Sequence, residues 1–322
     1  KSYWLPTHKT NNTIDKFFYN SILELNPDII HLHGLWRKPT RIIKYLNKIT
    51  DNIIVSPHGM LNKELFEQSK LKKQISMFLF EKKNLKKIKY FHALNKYEQK
   101  CIKTFFPSIP CQIISTGISL PKRNKQISKI NNFNFLKNNQ KIILYLGRIV
   151  ERKGINELVQ AWINLNEESI NAGWNLVIAG FGPLSKSLYK FNDDKKNRLS
   201  FVGSVYGEQK EYLLRKSTAF ILPSNGEGTP ISALEALSNK TICLLTDECN
   251  LENLNEKKIS YKIEKSVTSI QNNLKLLFML DEKEIRHKQE MGFEYIKEIH
   301  NWGKNTSAKS RGVKTISGMR PS

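Results

Sequence analysis

Residues 221–246 read ILPSNGEGTPISALEALSNKTICLLT, and this stretch contains the pattern of a strand, a sharp turn, a helix and a second strand. The apolar run that ends at Pro223 predicts a buried strand, and the spacing of apolar residues after Pro230 predicts a helix. One acid, Glu227, lies in the turn, and a second, Glu235, lies in the predicted helix about two turns along. Strands that alternate with helices at this pitch are typical of α/β proteins with a parallel sheet.

The start of the predicted helix is suited to binding a phosphate group. The first N–H groups of a helix lack partners, and the helix dipole is positive at that end. Glu227 and Glu235 flank this site, and carboxylates fit there if they hold neutral hydroxyls rather than the anion. A sugar nucleotide combines ribose hydroxyls, a diphosphate and a sugar. The alternative is that both acids are solvated charges around an ordinary helix start.

This segment resembles the E-x7-E signature of retaining glycosyltransferases with the GT-B fold, glycosyltransferase family 4 (group 1). The resemblance implies that Glu227 contacts hydroxyls of the donor sugar and that Glu235 holds the ribose. It also implies that the N–H groups of Gly228 and Thr229 face the donor diphosphate. Pro230 suits the first turn of the helix, where its missing N–H is not needed.

The sequence GRIVERKG, residues 147–154, places Arg148 and Lys153 directly after an apolar strand pattern. Strand ends in an open α/β sheet face the ligand crevice, and two cations there can bracket a diphosphate. The stretch resembles the family's G-R-x-x-x-x-K-G element, which implies that Arg148 and Lys153 hold the donor phosphates. We interpret Arg152 as a solvent-facing charge. The alternative is that all three are surface cations of a lysine-rich protein.

Two glycine turns follow later strand patterns. IAGFGP contains Gly180 and Gly182, and FVGSV contains Gly203. Both resemble elements on the donor side of the family, so the resemblance implies that these glycines lie at the donor site. Tight-turn geometry alone is the alternative reason for them.

Three histidines follow strand patterns in the first half of the chain. His58 comes after IIVSP, and the family resemblance implies that it contacts the donor sugar near the reacting centre. A general base and a strand-end histidine bonded to the backbone are the alternatives. His31 and His33 either contact the acceptor or pack, and we interpret His31 as structural. Histidines and carboxylates are too dispersed to predict a metal site, and no cofactor is expected.

The order of the patterns predicts an α/β protein with two Rossmann-like doubly wound domains facing a cleft, as the GT-B resemblance implies. The first clear strand lies near residue 29, so we expect the first domain to be truncated at its N terminus. The last dozen residues resemble the opening of a tryptophanyl-tRNA synthetase. The predicted parts are an N-terminal acceptor-side domain (1–120), a linker (121–139), a C-terminal donor-binding domain (140–285), a C-terminal helix (286–302) and an atypical tail (303–322).

Composition limits the class of protein and its partners. The net charge is +23. Nucleotide bias toward lysine codons explains part of this excess, and the alternative explanation is a surface that binds polyanions. Aromatic residues do not interleave with the basic runs, so nucleic acid is not an expected partner. No apolar run approaches the ~20 residues of a membrane span. The scattered cysteines favour reduced thiols in a cytoplasmic protein.

Residues 63–89 combine apolar residues at helical spacing with many lysines. This pattern is typical of an interfacial helix, and it predicts peripheral contact with an anionic membrane. The alternative is an ordinary amphipathic helix that covers the first domain's sheet. Both interpretations hold if one face of the helix packs on the sheet and another face contacts lipid.

The sequence therefore predicts a metal-independent retaining glycosyltransferase that moves a sugar from a nucleoside-diphosphate sugar to a glycan or lipid-linked acceptor. Cell-envelope polysaccharide biosynthesis, in the cytoplasm or at the inner face of the cytoplasmic membrane, is the expected setting. The alternative is a GT-B protein that binds sugar nucleotides without glycosyl transfer, either epimerase-like or an inactive fragment. A nucleic-acid-binding role would require salt-sensitive binding to RNA in preference to anionic vesicles.

Overall fold

The computed structural model describes residues 19–36, 38–67, 69–121, 140–191 and 198–301. The chain divides into two compact units between Ser115 and Thr116. The predicted linker, apart from Pro121, and the predicted tail with its synthetase-like end lie outside the described residues.

The first unit contains a parallel sheet with its strands in chain order. The strands are β1 (Ile30–His33), β2 (Ile53–Ser56), β3 (Tyr90–Ala93) and β4 (Cys111–Ile113). All residues of β2 and β3 are buried, as expected for central strands of a parallel sheet. The helices are residues 19–25, Lys38–Arg41, Ile43–Leu46, Lys63–Glu67, Lys70–Ser76, Lys82–Leu85 and Lys96–Phe105, with a π-helical turn at Met77–Glu81.

The second unit contains a larger parallel sheet in the order β10-β9-β8-β5-β6-β7. Its strands are β5 (Lys141–Leu146), β6 (Trp174–Ala179), β7 (Leu199–Gly203), β8 (Ala219–Leu222), β9 (Ile242–Leu245) and β10 (Tyr261–Lys262). The α-helices are Ile155–Asn164, Asn166–Asn171, Ser185–Leu188, Gly207–Lys216, Ile231–Ser238, Val267–Phe278 and Glu282–Ile299. Short 3-10 turns are Glu151–Lys153, Tyr189–Phe191 and Asp247–Cys249.

The strand order of the second unit creates a switch point between β5 and β8. The chain proceeds from β5 to β6 and β7 on one side, and then returns to β8, β9 and β10 on the other. Ligands of doubly wound folds bind outside the carboxyl ends of the strands at such a point. The predicted α/β class with parallel sheets is confirmed, and the carboxyl edge of the second sheet at this switch point is where a ligand site is expected.

Residues just after Ser115 belong to the second unit, although the sequence predicted a first domain that continues to residue 120. The N–H of Ile118 donates to the carbonyl oxygen of His300 at 2.7 Å, and Ile118 forms a parallel bridge with Asn301. Nδ1 of the buried His300 lies 2.8 Å from the carbonyl oxygen of Thr116. These contacts attach the segment to the end of helix Glu282–Ile299.

The helix predicted over residues 63–89 is interrupted in the structure. Ser69 has φ +59, a left-handed conformation that ends one helix before the next begins at Lys70. The π-helical turn Met77–Glu81 then interrupts the α-helical hydrogen bonding. Within this turn Glu81 is buried and accepts hydrogen bonds from the N–H of Trp36 at 3.0 Å and from Thr40 at 2.8 Å.

Gly154 separates the turn Glu151–Lys153 from the following helix, and its φ is +67. A Cβ at this position would lie 2.2 Å from the carbonyl oxygen of Pro223, at the end of β8. Gly173 offers a matched comparison, because its φ is +74 and a Cβ added there would meet nothing within 4 Å. Of these two glycines, only Gly154 therefore permits a close approach of two backbone segments.

We expect Gly154→Ala to lower the free energy of unfolding by about 3 kcal/mol, because it adds a clash to the left-handed strain. Gly173→Ala should lower the free energy of unfolding by only about 1 kcal/mol, since it adds the strain of the left-handed conformation without a clash. Urea denaturation followed by circular dichroism measures both values. Equal losses for the two variants would show that the contact with Pro223 does not constrain the loop.

Candidate functional site

A cavity of about 380 Å³ opens at the carboxyl edge of the second sheet. The segments that follow β5, β6, β7 and β8 all contribute to it, so it lies at the switch point of the fold. Its lining residues are Leu146, Gly147, Arg148, Lys153, Ala179, Gly180, Phe181, Ser204, Val205, Tyr206, Lys210, Glu227, Thr229, Pro230, Ile231, Ser232 and Glu235.

The structure brings most of the predicted donor residues to this one cavity. Arg148, Lys153, Gly180, Glu227, Thr229, Pro230 and Glu235 line it. Gly182 instead lines a neighbouring cavity of about 640 Å³, which shares Arg148 with the first. Gly203 and Gly228 are not among the lining residues, and the carbonyl oxygen of Gly203 accepts a hydrogen bond from the N–H of Gly180 at 2.7 Å.

Glu227 is held by basic side chains from the loop after β5. Its Oε1 lies 2.6 Å from Nζ of Lys153 and 3.3 Å from a guanidinium nitrogen of Arg152, and it accepts a 2.6 Å hydrogen bond from Ser224. The carboxylate is only 10% exposed, and its partner Lys153 is 13% exposed. A charge buried to this degree requires a partner, so the ion pair fixes the loop that carries Glu227.

The interpretation of Arg152 as a solvent-facing charge is wrong. Its guanidinium also donates to the carbonyl oxygen of Gly226, and its side chain is 26% exposed. The loop after β5 therefore supplies two cations to Glu227. Arg148 differs, because its guanidinium has no partner among the described residues and lines both cavities.

Glu235 is held in a similar way by a lysine that the motifs did not include. The helix Ile231–Ser238 presents Glu235 to the cavity, and Oε1 lies 2.7 Å from Nζ of Lys210. Pro230 precedes the helix as its cap residue, with φ −77, and so lies just before the predicted first turn. Glu235 is the fifth residue of this helix, so it lies little more than one turn along and not two.

The cavity therefore combines cations, uncommitted carboxylate oxygens and a helix start. In the described part of the chain, Oε2 of Glu227 and Oε2 of Glu235 accept no hydrogen bond. Each acid thus binds a lysine through one oxygen and leaves the other available to a ligand hydroxyl. Two aromatic residues, Phe181 and Tyr206, stand at the cavity with 65% and 77% of their surfaces exposed.

The first unit gathers histidines at the carboxyl ends of its strands. Nδ1 of His33 lies 2.7 Å from Nε2 of His58, and Nε2 of His31 lies 2.8 Å from Oγ of Ser56. The ring centroids of His31 and His92 are 5.4 Å apart. His31 therefore makes a structural contact across β1 and β2, while His33 and His58 form a pair at the strand ends.

The loop that carries His58 is held in an unusual conformation. His58 has φ +54, and the following N–H of Gly59 donates a 2.6 Å hydrogen bond to the buried carboxylate of Glu98. Burial, with smaller contributions from His33 and His92, lowers the pKa of His58 to about 4. The imidazole is therefore neutral near pH 7, so it can serve as a hydrogen-bond partner for a hydroxyl.

The ranges that the structure describes contain no candidate metal site. Those residues include no group of three or more His, Cys, Asp or Glu side chains arranged to hold a metal ion. Cys101, Cys111, Cys243 and Cys249 are all free thiols. Nor does any helix in the described ranges have the length and apolarity to cross a bilayer.

Sequence reasoning missed Lys210, Ser224 and Tyr206. Lys210 lies in the helix Gly207–Lys216 and is one of many lysines, so no local pattern distinguishes it. Ser224 was visible as a polar residue two positions after the end of the strand β8, which is the one signal that could have identified it. Tyr206 follows FVGSV immediately, and its place at the cavity depends on how the sheet is assembled.

Curated relatives match parts of the chain. TuaC of Bacillus subtilis, a glycosyltransferase assigned to teichuronic acid biosynthesis, is 32% identical over 108 residues, which are 34% of this chain and 25% of that protein. An Escherichia coli UDP-Gal:alpha-D-GlcNAc-diphosphoundecaprenol alpha-1,3-galactosyltransferase is 28% identical over 160 residues, which are 48% of this chain and 41% of that protein. The matches thus span less than half the length of these relatives.

A solved structure shares the fold of this chain, and a family model matches its sequence. The crystal structure of WaaG, a glycosyltransferase involved in lipopolysaccharide biosynthesis, superposes with a TM-score of 0.68 at 16% identity, over 94% of this chain and 84% of that one. This likeness confirms the predicted GT-B fold with its two parallel α/β units. The family model for glycosyl transferases group 1 matches residues 126–290, about half of the chain, and includes the cavity between Leu146 and Glu235. The chain therefore belongs to the group 1 glycosyl transferases.

Proposed function

We propose that this protein is a retaining glycosyltransferase that binds a nucleoside-diphosphate sugar in the cavity of the second unit. The observation that carries the proposal is the placement of Arg148, Lys153, Glu227 and Glu235 around one cavity at the start of helix Ile231–Ser238. Cations and a helix start suit a diphosphate, while the open carboxylate oxygens suit hydroxyl groups. The family membership of the chain supports the same function.

The cavity residues have distinct roles in the proposed transfer. Arg148 and Lys153 neutralise the charge that develops on the departing nucleoside diphosphate, which is commonly the largest contribution to catalysis. Glu227 accepts hydrogen bonds from hydroxyl groups of the donor sugar, and Glu235 accepts them from hydroxyl groups of the ribose. The bond from the anomeric carbon to the phosphate oxygen breaks, and the oxygen of the acceptor hydroxyl bonds to the anomeric carbon on the same face, so that configuration is retained. The departing phosphate oxygen takes the proton of that hydroxyl.

The resemblance of its strand-end segment to the family is the basis for a further proposal, that His58 contacts the donor sugar. Its lowered pKa keeps the imidazole neutral, so it would act by hydrogen bonding and not as a cation. Positive charge at the phosphates comes from protein side chains in this proposal, so the transfer is proposed to be metal-independent. The proposed setting is cell-envelope polysaccharide biosynthesis, which the names of the Bacillus and Escherichia relatives support. A location in the cytoplasm, at the inner face of the membrane, is part of the same proposal.

The proposal is tested first by donor binding. The panel is UDP-glucose, UDP-N-acetylglucosamine, GDP-mannose, ADP-glucose and dTDP-rhamnose, each tested by thermal shift and then by calorimetry. One donor should raise the unfolding temperature, because a ligand that binds only the folded state stabilises it. A parent protein that none of these donors stabilises would contradict the proposal. Binding without transfer to any glycan or lipid-linked acceptor would instead favour a sugar-nucleotide-binding protein.

Arg148→Met should weaken binding of the stabilising donor by about 30-fold, since it removes charge-assisted hydrogen bonds to the phosphates. Arg286→Met is the matched control, because Arg286 is exposed on helix Glu282–Ile299 and does not line the cavity. Isothermal titration calorimetry gives both dissociation constants. If the two variants bind the donor equally well, the diphosphate does not lie beside Arg148.

We also propose that the segment 63–89 contacts an anionic membrane. Five of its apolar side chains are exposed, namely Leu71 (71%), Ile75 (50%), Phe78 (84%), Leu79 (54%) and Phe80 (49%). An ordinary amphipathic helix covering a sheet would bury them. Seven exposed lysines accompany them, which favours a partner with negative charge. These lysines are Lys63, Lys70, Lys72, Lys82, Lys83, Lys86 and Lys87.

Phe78→Ser combined with Leu79→Ser should weaken binding to anionic vesicles by at least about tenfold, because it removes apolar area that enters the lipid. The measurement is cosedimentation with vesicles of phosphatidylcholine, with and without phosphatidylglycerol. Leu276→Ser combined with Met279→Ser is the control, since those residues are 53% and 80% exposed in the second unit. Equal binding to neutral and anionic vesicles, or equal loss in the control, would contradict the membrane proposal.

A further inference from the structure

Lys210 and Glu235 form an ion pair within the cavity. Lys210 lies in the helix Gly207–Lys216, which follows β7, and its Nζ donates to Oε1 of Glu235 at 2.7 Å. The two side chains are 35% and 25% exposed, so solvent screens the pair only in part. The pair connects the helix after β7 to the helix after β8 across the cavity.

This ion pair restrains a flexible carboxylate. A glutamate side chain is among those that lose the most rotamer freedom when they are fixed in one conformation. The hydrogen bond from Lys210 fixes it before any ligand arrives. Because Oε1 is committed to the lysine, Oε2 remains the acceptor that Glu235 can offer to a ligand in the cavity.

Lys210 also determines the charge balance of the cavity. The ionisable lining side chains are three cations, Arg148, Lys153 and Lys210, and two carboxylates, Glu227 and Glu235, so the net charge is positive by one. Without Lys210 this net charge would be zero, and the carboxylate of Glu235 would stand uncompensated near a bound diphosphate. The negative charges of the carboxylate and the diphosphate would repel each other and weaken binding of the diphosphate.

We propose that Lys210 is a positioning residue for the donor nucleotide. It holds Glu235 so that Oε2 meets the ribose hydroxyls, and it offsets the charge of Glu235 beside the diphosphate. This inference rests on the proposed function, since it requires the cavity to bind a nucleoside diphosphate. Lys210 lies outside the two sequence motifs that carry the donor-site prediction.

The test measures binding of UDP, GDP and ADP to the full chain by calorimetry, and the tightest of these is the probe. Lys210→Met should weaken its binding by about tenfold, and Lys210→Arg should restore most of the affinity because it keeps the charge. Lys216→Met is the control, since Lys216 is exposed on the same helix and does not line the cavity. Thermal unfolding checks that each variant is folded.

Two further measurements separate positioning from a direct contact with phosphate. In a Glu235→Gln background, Lys210→Met should weaken binding of the probe nucleotide by less than about threefold, because the effect of Lys210 on binding passes through Glu235. The parent should prefer the ribonucleotide to its 2′-deoxy form by about tenfold, and Lys210→Met should reduce that preference. A purely electrostatic role of Lys210 would leave the ribose preference unchanged.

The outcomes distinguish this inference from the proposed function. If the parent binds none of the three nucleotides and no donor of the panel stabilises it, both the function and the inference fail. If only dTDP-rhamnose stabilises it, the function stands and the inference is overturned, because that nucleotide has no 2′-hydroxyl for Glu235 to hold. If the parent binds one of the three nucleotides and Lys210→Met binds it equally well, the function stands and the inference is overturned. The same conclusion follows if the loss caused by Lys210→Met is equally large in the Glu235→Gln background.

Discussion

The ion pair between Lys153 and Glu227 constrains the rest of the donor-side cavity. Both side chains are largely buried, and a buried charge is stable only when it is paired and hydrogen-bonded. The pair can form only if the loop after β5 lies against the loop after β8. Gly154 permits this approach, because a side chain there would collide with the carbonyl oxygen of Pro223. The pairing of β5 with β8 places the two loops side by side, Gly154 permits their close contact, and the ion pair fixes it.

The same constraint determines what the two acids can do. A pair of carboxylates without ionic partners would suggest general acid and base catalysis, as in hydrolysis. Here Glu227 and Glu235 each engage a lysine through Oε1, and each retains a second oxygen that accepts hydrogen bonds. Such groups orient hydroxyls without repelling a diphosphate, because the lysines cancel their charge. The arrangement favours binding of a sugar nucleotide over direct proton transfer by these acids.

Much of this site was predictable because its main parts are local in sequence. Arg148 and Lys153 follow one strand, and Glu227 and Glu235 bracket one helix start, so short patterns identify them. Lys210 and the actual role of Arg152 were not predictable in this way. Their partners lie 25 and 75 residues away, and only the assembled sheet brings them together. In a lysine-rich chain, local sequence cannot distinguish a paired cation from a solvated one.

The interruption of the helix predicted over residues 63–89, in the first unit, was unpredictable for the same reason. Periodicity predicted a continuous amphipathic helix, but it could not predict that Glu81 would be buried. Glu81 accepts hydrogen bonds from Trp36 and Thr40, and burial raises the pKa of its carboxyl group. Because these bonds fix Glu81 inside the π-helical turn, Phe78 and Leu79 in the same turn remain on the surface. One turn of the chain therefore combines a buried polar contact with exposed apolar side chains, and exposed apolar patches mark sites that bind a partner or a membrane.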